Sequence, residues 1–168
     1  ERVVNELVQH MVDMNTAAFE AILNQQIEAK GIEKTITTII FQYLEKMGVL
    51  WVTNHINPGQ EHLVTNIIRQ KLIVGIDNIE TPLKTNKTVL LFLPENEYHE
   101  MGLLFMFYLL KNRGVQVIYL GANVPLSDVG YVAKLKKPDY IYSHITRPGM
   151  NFNFDKFLSN VSKNMPEL

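Results

Sequence analysis

The chain has 168 residues, 46% of them apolar and 20% charged, with a formal net charge of −1. These are the values of a folded protein of one ordinary or two small domains, and they exclude disorder and a basic nucleic-acid footprint within this stretch. There is no cysteine, which excludes disulfides, iron–sulfur clusters and zinc fingers and suits a cytoplasmic location.

The opening segment, Glu1–Asn15, carries acids and has no long apolar core, so it does not read as a signal peptide. No run reaches the roughly 18 apolar residues of a membrane span, so no membrane partner is expected. Up to residue 80 the rhythm is helical. Val4, Leu7, Val8 and Met11 fall at helix spacing. Phe19, Ile22, Leu23 and Ile27 do the same between an Asn15-Thr16 start signal and Gly31. Ile36, Ile39, Ile40, Tyr43, Leu44, Met47, Leu50 and Trp51 form a third continuous stripe. Asn57-Pro58 starts a fourth helix, with Asn57 as cap and Pro58 at the first helical position; Leu63, Val64, Ile67, Ile68 and Leu72 supply its apolar face. Residues 1–80 are therefore predicted to form a four-helix bundle.

After Thr81-Pro82 the rhythm changes. Thr88–Leu93 is a continuous apolar run of strand length, followed by a helix carrying Met101, Leu104, Phe105, Tyr108 and Leu109 and ended by Gly114. Val115–Leu120 and Asp139–Ile145 read as further strands, and 126–135 and 154–161 as further helices. Strands without polar alternation, separated by helices, predict a parallel sheet covered on both faces over 86–168. The fold class is thus α + α/β: a helical bundle, then a Rossmann-like (flavodoxin-like) domain. Three strands are fewer than the five or six usual in sheets, so the domain is expected to be truncated at its C-terminus. Ligands of such sheets bind at the carboxyl ends of the strands, which singles out the loops 94–102, 121–127 and 144–150.

The first of these loops contains Glu97-Tyr98-His99-Glu100-Met101-Gly102. Histidine is a common metal ligand, and Glu97 and Glu100 are both candidates to accept its second ring proton. Gly102 removes a side chain where a flat macrocycle could approach the backbone. Ser143-His144-Ile145 ends the third strand, and Leu120-Gly121-Ala122-Asn123-Val124-Pro125 follows the second. In the helical half, Trp51 precedes Glu61-His62 with nine residues between. Trp51 serves equally as core, Glu61 equally as a helix-dipole acid, and His62 equally as a surface residue.

Together these segments resemble the cobalamin-binding domain family, whose pattern is D-x-H-x-x-G, L-G-A-x-x-P, S-x-L and then a Gly-Gly pair; Glu97 stands here for Asp and Ile145 for Leu. The W-x9-E-H spacing is similar to that of light-sensing cobalamin regulators of the MerR family. The resemblance covers essentially the whole chain. It implies that His99 is the lower axial ligand of cobalt, that the released nucleotide tail enters a slot beside Ser143, and that the bundle caps the upper corrin face. There Trp51 covers the upper ligand, adenosylcobalamin being the expected form, and Glu61 and His62 meet the adenosyl group. It further implies a homo-oligomer and DNA binding only through a domain absent from this chain.

Three departures bear on that expectation. Val52 stands where light-sensing relatives carry a second cobalt-binding histidine, and His55, one helical turn from Trp51, is a candidate replacement. The Gly-Gly pair is missing before Leu168, and no winged-helix region precedes the bundle. With no P-loop, no G-x-S-x-G and no cysteine, the chain reads as a non-enzyme. A corrinoid carrier serving a methyltransferase and a degenerate module without cofactor are the alternatives.

Overall fold

The computed structural model describes residues 1–80, 84–146 and 153–165. The chain divides into two compact units, Glu1–Gly75 and Ile76–Leu168.

The first unit is helical. Helix α1 spans Arg2–Val12 and buries Val4, Leu7 and Met11. Helix α2, Thr16–Lys30, is capped by the Asn15 side chain, which accepts from the Ala18 N–H at 3.1 Å, and ends at Gly31, whose φ of 80° suits glycine. The predicted third helix is one continuous rod in three assigned parts: α3 (Ile32–Thr35), a π turn (Ile36–Ile40) and α4 (Phe41–Val52), with helical backbone angles at each junction. The π turn was not foreseen. It falls in the β-branched run Thr35–Ile40, where side chains crowd the preceding turn. The hydroxyls of Thr37 and Thr38 donate back to the carbonyls of Glu33 and Lys34, which loosens the regular ladder. Thr35, fully buried, donates to the Gln26 carbonyl at 3.0 Å and pins the rod to α2.

Helix α5, Pro58–Asp77, begins with a capping box. The Gln60 N–H donates to Asn57 Oδ1 and the Asn57 N–H donates to Gln60 Oε1, each at 3.0 Å. The Gln60 amide also donates to the Val12 carbonyl, tying the start of α5 to the end of α1. Phe19, Leu23, Ile36, Ile39, Ile40, Tyr43, Met47, Val64, Ile68 and Leu72 are buried. Phe19 meets Tyr43 edge-on at 5.6 Å between ring centroids. The Tyr43 hydroxyl donates to the Met11 thioether at 3.1 Å; burial, and then the Glu61 charge, hold it neutral by raising its pKa well above the ordinary tyrosine range.

The second unit is a three-layer α/β arrangement. Strands β1 (Thr88–Pro94), β2 (Gln116–Val124) and β3 (Tyr140–Tyr142) form a parallel sheet in the order β2-β1-β3. Helix α6 (Met101–Asn112) follows β1, α7 (Leu126–Lys136) follows β2, and α8 is Phe154–Asn164. The central strand explains the unalternating sequence. Leu90 and Phe92 pack with Val129, Ala133 and Met165 on the α7–α8 side, while Val89, Leu91 and Leu93 pack with Leu103 on the α6 side. The edge strand β3 is held at its start by Asp139, which accepts from Lys87 Nζ and the Thr88 N–H, both at 2.8 Å.

Two strand boundaries differ from the sequence reading. β2 runs on to Val124 through a bulge at Leu120, because Leu91 pairs with Tyr119 but Phe92 with Gly121. β3 stops at Tyr142, so Ser143–Ile145 leave the sheet early. No helix among the described residues is long and apolar enough to cross a membrane.

Replacing Asn57 by alanine removes an N-cap whose loss typically costs about 1 kcal/mol. Urea denaturation of the Asn57→Ala variant should show a loss of that size, and an unchanged midpoint would deny the cap its role.

Candidate functional site

The carboxyl ends of β1, β2 and β3 carry the candidate residues of the second unit. After Pro94 the chain makes a tight turn: the Glu97 N–H donates to the Pro94 carbonyl at 3.0 Å, with Asn96 at φ 68°. Asparagine tolerates this left-handed position better than most residues. The turn swings Glu97 inward, and its residue is only 4% exposed.

There its carboxylate is fully engaged. Oε1 accepts from the His99 N–H at 2.9 Å and is 2.6 Å from His99 Nδ1. Oε2 accepts from the Thr146 N–H at 2.7 Å and the Thr146 hydroxyl at 3.0 Å. A carboxylate acceptor places the proton on Nδ1, which leaves the Nε2 lone pair of His99 free. The His99 side chain is 61% exposed, so the free nitrogen belongs to the accessible part of the loop. Of the two acids considered as the histidine's partner, Glu97 takes the role. Glu100 instead accepts from the Tyr119 hydroxyl at 2.8 Å.

Gly102 sits under the His144 ring; a Cβ there would lie 3.3 Å from His144 Cε1. His144 Nε2 is also 3.2 Å from the His99 carbonyl. The space expected for a macrocycle at Gly102 is thus lined by an imidazole. Gly121 has φ 83°, a backbone conformation that favours glycine, and a Cβ there would come within 3.1 Å of Glu100 Oε1. Ser143 Oγ is buried and has no hydrogen-bond partner among the described residues. An orphaned buried hydroxyl costs stability unless a ligand or water completes it. Ile145 is half-buried beside it in sequence. The rest of the third expected loop, 147–150, lies outside the described residues.

Sequence reasoning missed Thr146. It sits just after the S-x-I segment, and only the fold brings it to Glu97; the early end of β3 frees the chain to make that turn.

In the helical unit, Trp51 lies in the last turn of α4 and Glu61 in the first turn of α5, joined through the short connection 53–57. Trp51 is 38% exposed and Val52 82% exposed, so Trp51 is not the core residue that its stripe also allowed. His62 Nδ1 pairs with Glu61 Oε2 at 2.9 Å, and the His62 side chain is 71% exposed. His55 Nδ1 lies 2.8 Å from Thr53 Oγ1, and that hydroxyl donates to the Val49 carbonyl at 2.9 Å. With its only proton so placed, Thr53 accepts from His55 Nδ1–H and leaves His55 Nε2 bare.

No three His, Asp or Glu side chains among the described residues gather into a metal cluster. A lone oriented imidazole suits a metal already chelated by a macrocycle, which needs an axial ligand rather than a cage. The donor set therefore fits a corrin.

Residues 3–74 match the B12 binding domain family. The chain is 28% identical over 146 residues, 86% of its length, to the HTH-type transcriptional repressor CarH of Myxococcus xanthus. It is 28% identical over 120 residues, 71% of its length, to the repressor CarA of the same organism. These matches take in 48% and 40% of the two repressors, so the chain spans about half of their length or less. Among solved structures, the methanol:cobalamin methyltransferase complex MtaBC from Methanosarcina barkeri is 17% identical, with 97% of this chain and 62% of that chain covered at a TM-score of 0.44. A cobalamin-binding protein from Desulfitobacterium hafniense DCB-2 is 18% identical, with 86% and 69% covered at a TM-score of 0.38. The helical region thus matches the B12 binding domain family, and over most of its length the chain is similar to the CarH and CarA repressors.

Proposed function

We propose that this chain is a cobalamin-binding sensor module of a transcriptional regulator, with His99 as the lower axial ligand of cobalt and adenosylcobalamin as the form it holds. The observation that carries the reading is the Glu97–His99 pair: a buried carboxylate fixes Nδ1 and leaves Nε2 free at the carboxyl end of a parallel sheet. The unpartnered Ser143 hydroxyl supports it, as a buried group that the cofactor's nucleotide tail would complete. Gly102, Gly121 and Ile145 shape the loops around that tail. In the helical unit, Trp51, Glu61 and His62 offer an exposed aromatic face, a carboxylate and an imidazole, groups suited to an adenosyl group. Bound cobalamin supplies a photolabile cobalt–carbon bond; the chain's own residues hold it, orient it and exclude water. The module turns nothing over. It self-associates, and it reaches DNA through a domain outside this chain, as the kinship to two repressors suggests.

Titration with adenosylcobalamin in the dark, followed by absorbance, should give a stoichiometric complex whose spectrum reports an imidazole ligand. His99→Ala should lose that signature and bind at least about 10-fold more weakly. A parent that takes up no corrin would overturn the proposal, and identical spectra for parent and variant would remove His99 as ligand. Methyl transfer from a methyl donor to the bound cobalt would replace the sensor with a carrier.

Glu97→Gln removes the charge that orients His99, and a partner of a metal-bound histidine typically contributes 10–100-fold in affinity. Its cobalamin dissociation constant should rise within that range, with a smaller rise for Thr146→Val, which keeps the backbone bond. Equal constants for parent and both variants would show that the relay does not govern the ligand.

His55, with Nε2 bare, is the imidazole in α4–α5 best prepared to take the place that Val52 leaves empty. After illumination, His55→Ala should differ from the parent in its absorption spectrum; superimposable spectra would exclude it.

A further inference from the structure

The loop that carries His99 is gripped from a second loop. The Asn96 N–H donates to Asn123 Oδ1 at 2.9 Å, and the Asn123 N–H donates to the Glu97 carbonyl at 3.2 Å. One residue thus holds both sides of the Asn96–Glu97 peptide, once with its side chain and once with its backbone. Asn123 can do this because it sits at φ 58°, a left-handed position at the carboxyl end of β2, just past the Leu120 bulge and Gly121. That conformation turns its side chain and its N–H toward the neighbouring loop, and asparagine accepts it at little cost. Asn96, which it meets, is left-handed as well, so a turn is held against an irregular strand end.

We infer that Asn123 is the positioning residue of the axial ligand. It acts through Glu97: the clamp fixes the Glu97 backbone, Thr146 fixes one carboxylate oxygen, and the other oxygen is thereby set at His99 Nδ1. Backbone and carboxylate are held from different places, β2 and the segment after β3, which restrains Glu97 against turning away from the histidine. Loss of the clamp frees the Asn96 turn and lets the carboxylate retreat, and the imidazole then populates its other tautomer, with the proton on Nε2. That tautomer carries its lone pair on Nδ1, on the Glu97 side, and has none on Nε2 to offer a metal. The inference rests on the reading of His99 as the ligand to cobalt, but its first consequence appears without cofactor.

The test is the tautomer of His99 in the ligand-free protein, read from the nitrogen-15 shifts of its ring. The parent should show the Nδ1–H form alone. Asn123→Gly keeps the left-handed backbone and removes the acceptor; it should add the Nε2–H form while the rest of the amide spectrum stays dispersed. Asn123→Asp retains an acceptor and should match the parent. Asn123→Ala, which also lacks the acceptor, decides the matter if the glycine variant does not fold. An unchanged tautomer in the acceptor-less variants, or a shifted one in Asn123→Asp, overturns the inference. Titration with adenosylcobalamin then separates it from the functional reading. Asn123→Gly should bind about 10-fold more weakly than the parent, with a larger share of cobalt lacking the imidazole. Should the parent bind no cobalamin while the tautomer responds as described, the cofactor reading falls and the positioning role stands.

Discussion

Withdrawing a carboxylate from water is costly unless donors surround it, and Glu97 is withdrawn almost completely. Four hydrogen bonds compensate it, two from His99 and two from Thr146. Much of the local chain is shaped to make those four possible. The Asn96 turn delivers the carboxylate inward. The early end of β3 brings Thr146 across, and the bulge in β2 re-aims the next loop so that Asn123 meets the turn. The histidine is the accessible end of this arrangement, and its chemistry follows from the buried end.

Much of this fold was legible in advance because it rests on periodicity. The four helical stripes, the Asn15 and Asn57 caps and the apolar run of β1 are local signals, and each appears where the sequence puts it. The π turn was not legible from spacing, since the stripe Ile36–Met47 remains buried across it; its cause lies in a crowded β-branched run and in threonine back-bonding. The early end of β3 was hidden because no glycine or proline marks the chain between Tyr142 and Pro148. At the site, His99 and Glu97 announced themselves by motif. Thr146 and Asn123 did not, since their partners are distant in the chain and a threonine or an asparagine in a loop is unremarkable until the sheet brings it to its partner.

The helical unit shows the limits of a stripe as a guide to burial. Its third rod buries Ile36, Ile39, Ile40, Tyr43 and Met47, then releases Trp51 and Val52 to the surface. Exposed at the end of the rod, Trp51 is not a piece of core.

On the proposed reading of His99, the four bonds of Glu97 also tie ligand capture to folding. Its partners come from the loop after β1 and the segment after β3, so the donor geometry at His99 exists only once the three strands have assembled. A group that binds only the assembled state stabilises it, by an amount that grows with its concentration above the dissociation constant. Mutations deep in this sheet, far from any corrin, should therefore be felt as weaker capture, and capture in turn should raise the melting temperature of a sheet whose outer strand is only three residues long.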